Sequence, residues 1–266
     1  MAKKTFHLWG VHPVAEALRD GRRKFFKLCL ASDKMGGRRE EINAMAAQAG
    51  IAVEHRRARQ LTAEIGHDRH QGVWAEVSAY PFCRLEHIVD AGAGSPFVLV
   101  LDQIVDPHNF GAIVRTAQCA GMHGIIVPKD RCAPPSAAAS KASAGALEHA
   151  RIACVNNLSN SIKQLKANGL WIAGADRGGQ TDLFGADLTG PLALVIGSEE
   201  KGLRPLVRKH CDFMLSVPQV GPIGSLNASV AAAVIMYEAF RQRETTDHDP
   251  EGIAGHGRRR GNESNG

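Results

Sequence analysis

Three polar segments stand in the second half of the chain where a plain α/β core has no use for them. In DQIVDPHNFGAIVRTAQCAG (102–121) an apolar run ends in a loop with Asp106, Pro107 and Asn109 and continues into a helical pattern bearing Arg115. In IGSEEKG (196–202) glycines bracket a turn that contains Glu199, and glycine lets backbone approach a ligand closely. In VPQVGPIGSLNAS (217–229) a Gly/Pro-rich loop ends at Ser225 and Asn227, at the mouth of an Ala-rich helix. Arg115 falls off the apolar stripe Ile113, Ala117, Ala120, so it is free to face a ligand. A guanidinium is essentially always protonated and offers a fork of donors, which suits a phosphate or a developing oxyanion rather than proton abstraction. Each residue also has a plainer reading. Asn109, Ser225 and Asn227 suit helix caps or turns, Glu199 a solvated turn, and Arg115 an exposed helix charge.

Other chemistries lack their residues. No G-x-G-x-x-G follows the first apolar strand of this region, and no G-x-x-x-x-G-K-[ST] occurs, which disfavours a dinucleotide dehydrogenase and a P-loop NTPase. Six cysteines are scattered without a CxxC pair, which argues against a zinc ribbon or a disulfide scaffold and for free thiols in a reducing cytoplasm. The HDRH at 67–70 has no supporting carboxylate or Cys cluster, so it reads as a surface loop and no metal site is expected. Apolar runs fall short of the ~18 residues of a membrane span. Met1–Gly10 lacks the apolar core of a signal peptide, so export is not expected.

The elements that must position these residues fall into two α/β series. In the first, a helix closes at Gly21, 25–31 reads as a strand, 40–50 as a helix, 51–55 as a strand, 58–66 as a short helix and 72–77 as a strand. Residues 78–95, with Pro81, a short helix around 84–91 and a terminal AGAGS, read as a linker. In the second series, strands are expected at 96–104, 124–128, 151–155, 170–176, 192–197 and 212–218. Helices are expected at 109–121, 136–147, 159–169, 202–211 and 225–243, the Ala/Ser-rich 136–147 packing closely against a neighbour. The tail 244–266 is polar, Gly-rich and expected to be disordered.

Charge separates the two series. Residues 1–77 hold 14 Lys and Arg against 9 Asp and Glu, whereas 78–266 hold 18 of each, so the whole net charge of +5 sits in the first third. A basic module beside a neutral one fits binding of a polyanion by the first, although a charge of this size also serves solubility. Phe6, Trp9, Phe25, Phe26 and Trp74 also lie there, mostly as core, with one or two available to stack on bases.

Taken together and in order, the three segments resemble the SpoU family of AdoMet-dependent RNA ribose methyltransferases, in the SPOUT superfamily. The pattern D-x-x-x-D-P-x-N-x-G-A-I-x-R-T-A stands at 102–117, (L/V)-x-G-x-E-x-x-G-L at 195–203 as VIGSEEKGL, and S-L-N-x-S-V-A-A at 225–232. The resemblance spans 96–243 and extends to 1–77, which is similar to the L30e-like RNA-binding domain often fused in front in this family. It implies an α/β fold with a parallel sheet and a deep trefoil knot in the carboxy-terminal domain, a topology that periodicity does not reveal. It implies S-adenosyl-L-methionine (AdoMet) as cofactor, with Gly197, Val217 and Leu226 lining its site, and a homodimer through the knot region. It assigns the catalytic role to Arg115 and other polar site positions to Asn109, Glu199, Ser225 and Asn227. The implied reaction is methyl transfer to a ribose 2′-OH, hence RNA and not DNA. The two-domain layout most resembles the family members that methylate a guanosine of 23S rRNA. A tRNA ribose methyltransferase is the alternative within the family, and a non-catalytic knotted RNA-binding protein the alternative of another class.

Overall fold

A computed structural model describes residues 5–34, 36–90, 95–222 and 224–248. The first part of the chain alternates short strands and helices: β1 (Phe6–Trp9), α1 (Val11–Asp20), β2 (Phe25–Ala31), α2 (Arg38–Gln48), β3 (Val53–Arg56), α3 (Ala58–Ile65) and β4 (Val73–Val77). The four strands make one sheet in the order β1-β4-β2-β3. β4 runs antiparallel to β1 and β2, and β3 parallel to β2. Alternation along β2 sends Leu28 and Leu30 to α1 and α2, and Cys29 and Ala31 to Leu61 of α3.

After α4 (Glu86–Val89) come β5 (Phe97–Leu101), α5 (Pro107–Cys119), β6 (Gly124–Pro128), α6 (Ala137–Ala142), β7 (Ile152–Val155), α7 (Leu158–Ala167), β8 (Trp171–Ala175), β9 (Thr181–Asp182), β10 (Leu192–Ile196), α8 (Pro205–His210), β11 (Phe213–Ser216) and α9 (Ala228–His248). Their seven strands form a parallel sheet in the order β7-β6-β5-β10-β8-β11-β9. Both faces are covered, which is why β5 and β10 are apolar at every position. Phe97, Leu99 and Leu101 pack towards α5 and α9, whereas Val98 and Val100 pack towards α7 and α8. The chain leaves β5 in opposite directions along the sheet, so β5 and β10 flank its switch point. Ligands of open α/β sheets bind at the carboxyl ends of the strands at such a point.

Several expectations are corrected. β1 and β9 had no expected counterpart. The helix expected at 136–147 stops at Ala142: Ser143 Oγ donates to Ser140 O (2.9 Å) and accepts from Leu147 N (3.1 Å), offering the backbone a turn instead. What remains of it does pack closely, since a Cβ on Gly111 of α5 would lie 2.5 Å from Ala139 O. The last helix starts at Ala228 rather than 225 and runs to His248, so 244–248 do not belong to a disordered tail; residues 249–266 lie outside the described ones. The stretch 78–95 is not free chain where it is described. Tyr80, Leu85 and Ile88 are buried, and Cys83 bridges to Ala153 beside β7. His70 is likewise no surface residue. It is buried, accepts from Gly72 N at Nδ1 (3.0 Å) and therefore donates from Nε2 to Thr62 Oγ1 (2.9 Å).

A buried polar seam joins the two sheets. Arg23 Nε donates to Glu148 Oε2 (2.9 Å) and its Nη1 to Ser78 O (2.7 Å), while Ser140 Oγ donates to Glu148 Oε1 (3.0 Å). The Arg23 guanidinium lies 5.1 Å from the ring centroid of Tyr80, whose hydroxyl donates to Ala150 O at 2.6 Å. Burial pushes the Tyr80 phenol far above its ordinary range, which keeps it the donor there.

Candidate active site

Three loops meet at the carboxyl edge of the parallel sheet. Asp106 caps α5, its carboxylate accepting from His108 N and Asn109 N, each at 3.1 Å, with Pro107 opening the helix. That cap fixes Asn109 in the first turn. Asn227 Nδ2 donates to Asn109 Oδ1 (3.1 Å) and to Glu199 Oε2 (3.2 Å). Asn227 Oδ1 in turn accepts from Ser229 N (2.9 Å) and Ser229 Oγ (2.6 Å) at the start of α9. One side-chain amide thus ties the loops after β5, β10 and β11 together. The capping reading and the site reading of Asn227 hold at once.

The middle loop is folded back on itself. Ser198 and Gly202 exchange backbone hydrogen bonds of 3.2 and 2.9 Å, and Lys201 N donates to Ser198 Oγ (3.2 Å). Gly197 sits under that closure, where a Cβ would lie 2.4 Å from the carbonyl carbon and oxygen of Gly202. Only glycine fits without moving the loop. Asp102 holds the loop from below. It is fully buried, donates its N–H to Ile196 O (2.8 Å), and accepts from Arg204 N (2.9 Å) and Arg204 Nε (2.7 Å). Asp102 had not been singled out. Its signal was a carboxylate directly after a continuous apolar strand, a costly place for a charge unless it is paired.

A cavity of about 300 Å³ opens among these loops and α9. Gly197, Val217 and Leu226, the positions expected to line a cofactor site, are on its wall, as is Glu199. Asp176 and Gln219 join them and were missed, although Asp176 follows its apolar strand as Asp102 does. Asp176 Oδ1 accepts from Gly178 N (2.8 Å), and its other oxygen pairs with Arg208 Nη1. Arg177 Nη2 donates to Glu199 O (3.2 Å), a second strap on the middle loop.

The structure does not gather every expected residue. Ser225 is half-buried beside the cavity mouth but off its wall. Arg115 is exposed, makes no hydrogen bond or ion pair with the described residues, and is not on the wall. At six residues beyond Asn109 it stands about 9 Å further along α5 and a third of a turn round it. The site within one chain is therefore a cavity with an Asn–Asn–Glu cluster at its edge and a free guanidinium on the adjoining helix. Thiol chemistry has no support nearby: burial pushes the Cys132 thiol up to about 12.

Gly197→Ala is expected to weaken binding of a ligand in this cavity at least tenfold, with a smaller effect on folding, because the added methyl group displaces the 198–202 closure. Calorimetric titration beside a melting curve checks this; an unchanged affinity would show that the closure does not shape the site.

Comparison with known proteins places these features in context. The family described as SpoU rRNA Methylase matches residues 96–237, and the one described as RNA 2′-O ribose methyltransferase substrate binding matches residues 7–83. The chain is 39% identical over 239 residues to the 23S rRNA (guanosine-2′-O-)-methyltransferase RlmB of Pseudomonas aeruginosa, covering 89% of this chain and 96% of that one. Among solved structures it is similar to the SpoU methyltransferase AviRb of Streptomyces viridochromogenes in complex with AdoMet. There the TM-score is 0.77 and the identity 27%, with 91% of each chain covered. The TrmH/SpoU tRNA modifying enzyme of A. aeolicus aligns with a TM-score of 0.52 and 27% identity, covering 61% of this chain and 82% of that one.

Proposed function

The chain belongs to the SpoU methylase family, and from that premise we propose that it methylates the ribose 2′-OH of a guanosine in 23S rRNA with AdoMet as donor. The observation that carries this reading is the cavity walled by Gly197, Val217 and Leu226 with the Asn109–Asn227–Glu199 cluster at its edge. Its size is that of a small-molecule cofactor site. Its wall mixes apolar Val217, Leu226 and Ile235 with the carboxylates of Asp176 and Glu199. That donor set suits a molecule with an aromatic base, an ammonium and a sulfonium. When bound, AdoMet supplies an electrophilic methyl group for the ribose oxygen.

The chain's own residues then have a positioning task. Asn227 holds Glu199 and Asn109 in one register, and Asp102 and Arg177 fix the loop that carries Glu199. Arg115 grips a neighbouring phosphate and stabilises the negative charge that grows on the ribose oxygen as its proton leaves. Ser225 orients the RNA backbone at the mouth. The guanosine-in-23S assignment is supported by the relative that covers both sheets, named for that reaction, whereas the tRNA-modifying neighbour matches little more than the parallel-sheet domain.

Three further parts belong to this proposal. Residues 1–77 bind the RNA, 78–95 connect, and 96–243 carry the reaction, with the last segment threaded as a knot about the cavity. The enzyme is a homodimer through the knot domain. Exposed apolar residues support this: Val105 is 65% exposed before α5, and Val230 (48%) and Tyr237 (47%) stand seven residues apart on one face of α9, which packs on α5. A second copy on that face would bring a free Arg115 towards its neighbour's cavity. The place of action is the cytoplasm; no described helix is long and apolar enough to cross a membrane.

The test is transfer of labelled methyl from AdoMet to total RNA from a strain lacking the protein, followed by sizing and nucleoside mapping. Label on a 2′-O-methylguanosine of 23S rRNA is expected. Label on tRNA would replace the substrate, and no label on RNA or ribosomal precursors, with AdoMet still bound, would leave an RNA-binding protein.

A further inference from the structure

We propose that the amino-terminal domain holds one nucleotide of the substrate RNA in a second cavity, with its phosphate against Arg38 and Arg39. The inference rests on the RNA reading above and adds a site to it. A cavity of about 480 Å³ opens where the β1–α1, β2–α2 and α3–β4 connections converge, far from the cofactor loops in sequence. Its wall includes His12, Arg38, Arg39, Thr62, His70 and Gln71, with Asp68 as its one carboxylate. It is therefore cationic and polar, and its volume exceeds that of a lone phosphate.

Two observations point to an anionic occupant. The first is Arg39. Its Nη1 donates to Gln71 O (3.0 Å), but its Nε is buried and without a partner. An arginine N–H shut away from water with no acceptor is uncommon, because that state costs the full desolvation of the donor. The second is the way the helices end. α1 and α2 start on Gly10 and Gly37, and no side chain caps either, whereas Asp33 takes the first amide of α3 (Ala58 N to Asp33 Oδ1, 3.0 Å). One amide of α1, that of Val11, is taken by Gln71 Oε1 at 3.2 Å. The amides of Arg38 and Arg39 and the positive end of α2 stay turned to the cavity region. Arg38 itself is exposed and rests on the His12 imidazole, 2.6 Å from Nε2.

The cavity is also tied to the methyltransferase domain. Lys141 Nζ donates to Arg69 O (2.5 Å) in the loop that supplies Asp68, His70 and Gln71, and Lys141 belongs to α6. α6 packs on α5, the helix of Asn109 and Arg115. A nucleotide held at Arg38 and Arg39 is thus at a set separation from the ribose presented to the cofactor cavity. The second anchor would choose which nucleotide of a folded RNA reaches the site.

The experiment uses the full-length enzyme, a 23S rRNA transcript, and the variants Arg38→Ala and Arg38→Ala/Arg39→Ala. The double variant is expected to raise KM for RNA about tenfold with kcat little changed and AdoMet affinity unaltered. It should also lower the slope of log affinity against log salt by about two, one per lost phosphate contact. Should the double variant fail to fold, Arg38→Ala alone, at an exposed position, is expected to lower that slope by about one, and Arg38→Lys to restore most of it. An RNA affinity and a salt slope equal to those of wild type would overturn the site. So would inorganic phosphate competing, at constant ionic strength, as well as a nucleoside monophosphate, since the cavity would then read phosphate alone. Wild-type enzyme that labels no RNA would instead defeat the functional reading, so the two failures are distinguishable.

Discussion

Arg115→Ala is expected to lower methyl transfer at least a hundredfold while leaving the affinity for AdoMet and the melting temperature nearly unchanged. The size follows from removing one preorganised donor to a developing oxyanion, which costs about 10²–10³ in rate. The separation of effects follows from the geometry. Arg115 is exposed, has no partner among the described residues and does not wall the cavity, so its loss removes neither cofactor contacts nor packing. Exposed substitutions of this kind change stability by about half a kcal/mol or less. Arg115→Lys keeps the charge but not the fork of donors and should recover only part of the rate. Single-turnover kinetics beside AdoMet titration would show it. A fully active Arg115→Ala enzyme would remove arginine from the chemistry and leave the Asn109–Asn227–Glu199 cluster to carry it.

Breaking the buried pair between the two sheets should cost the most stability. Arg23 and Glu148 side chains are 3% and 1% exposed, so deleting either strands the other's charge in the seam. The expected loss is about 3–5 kcal/mol for Arg23→Ala or Glu148→Ala. Glu148 would keep only Ser140 Oγ at 3.0 Å, and Arg23 only Ser78 O and the Tyr80 ring. Replacing both together, Arg23→Met with Glu148→Leu, should recover much of that loss, because two paired charges offset each other's desolvation and a well-packed apolar pair needs no such offset. Denaturant midpoints of the four proteins form the cycle. Singles that lie within 1 kcal/mol of wild type would mean that water reaches the seam. Loss of the pair should also impair RNA methylation more than AdoMet binding, since the basic domain would no longer be held against α6.

What was legible in the sequence was local. Continuous apolar runs located β5 and β10 because both of their faces are covered. Gly21 and Gly66 marked helix ends because each adopts a left-handed conformation at the C-cap. The residue types of the three loops were visible in their order along the chain. β1 was missed because FHLW is an edge strand with one fully buried residue, so no apolar run announces it. α6 was overextended because alanine's helix propensity says nothing of the alternative that Ser143 offers in place. His70 was misplaced on the surface because its partners, Thr62 and the Gly72 amide, matter only once the loop is folded.

The sequence by itself therefore determined the two α/β series, the basic character of the first, and the three segments rich enough in polar residues to form a site. Tertiary structure decided which of those residues meet. Asn227 reaches Asn109 across 118 positions and Glu199 across 28, Asp102 clamps Arg204 across 102, and Arg23 meets Glu148 across 125. It also decided that Arg115 stands apart from the cluster and that Arg38 and Arg39 border a cavity of their own. The reason is physical. Propensity and periodicity report interactions within a few residues of chain, whereas these pairings depend on strand order and on which loops leave the same edge of a sheet, and no local pattern encodes that order.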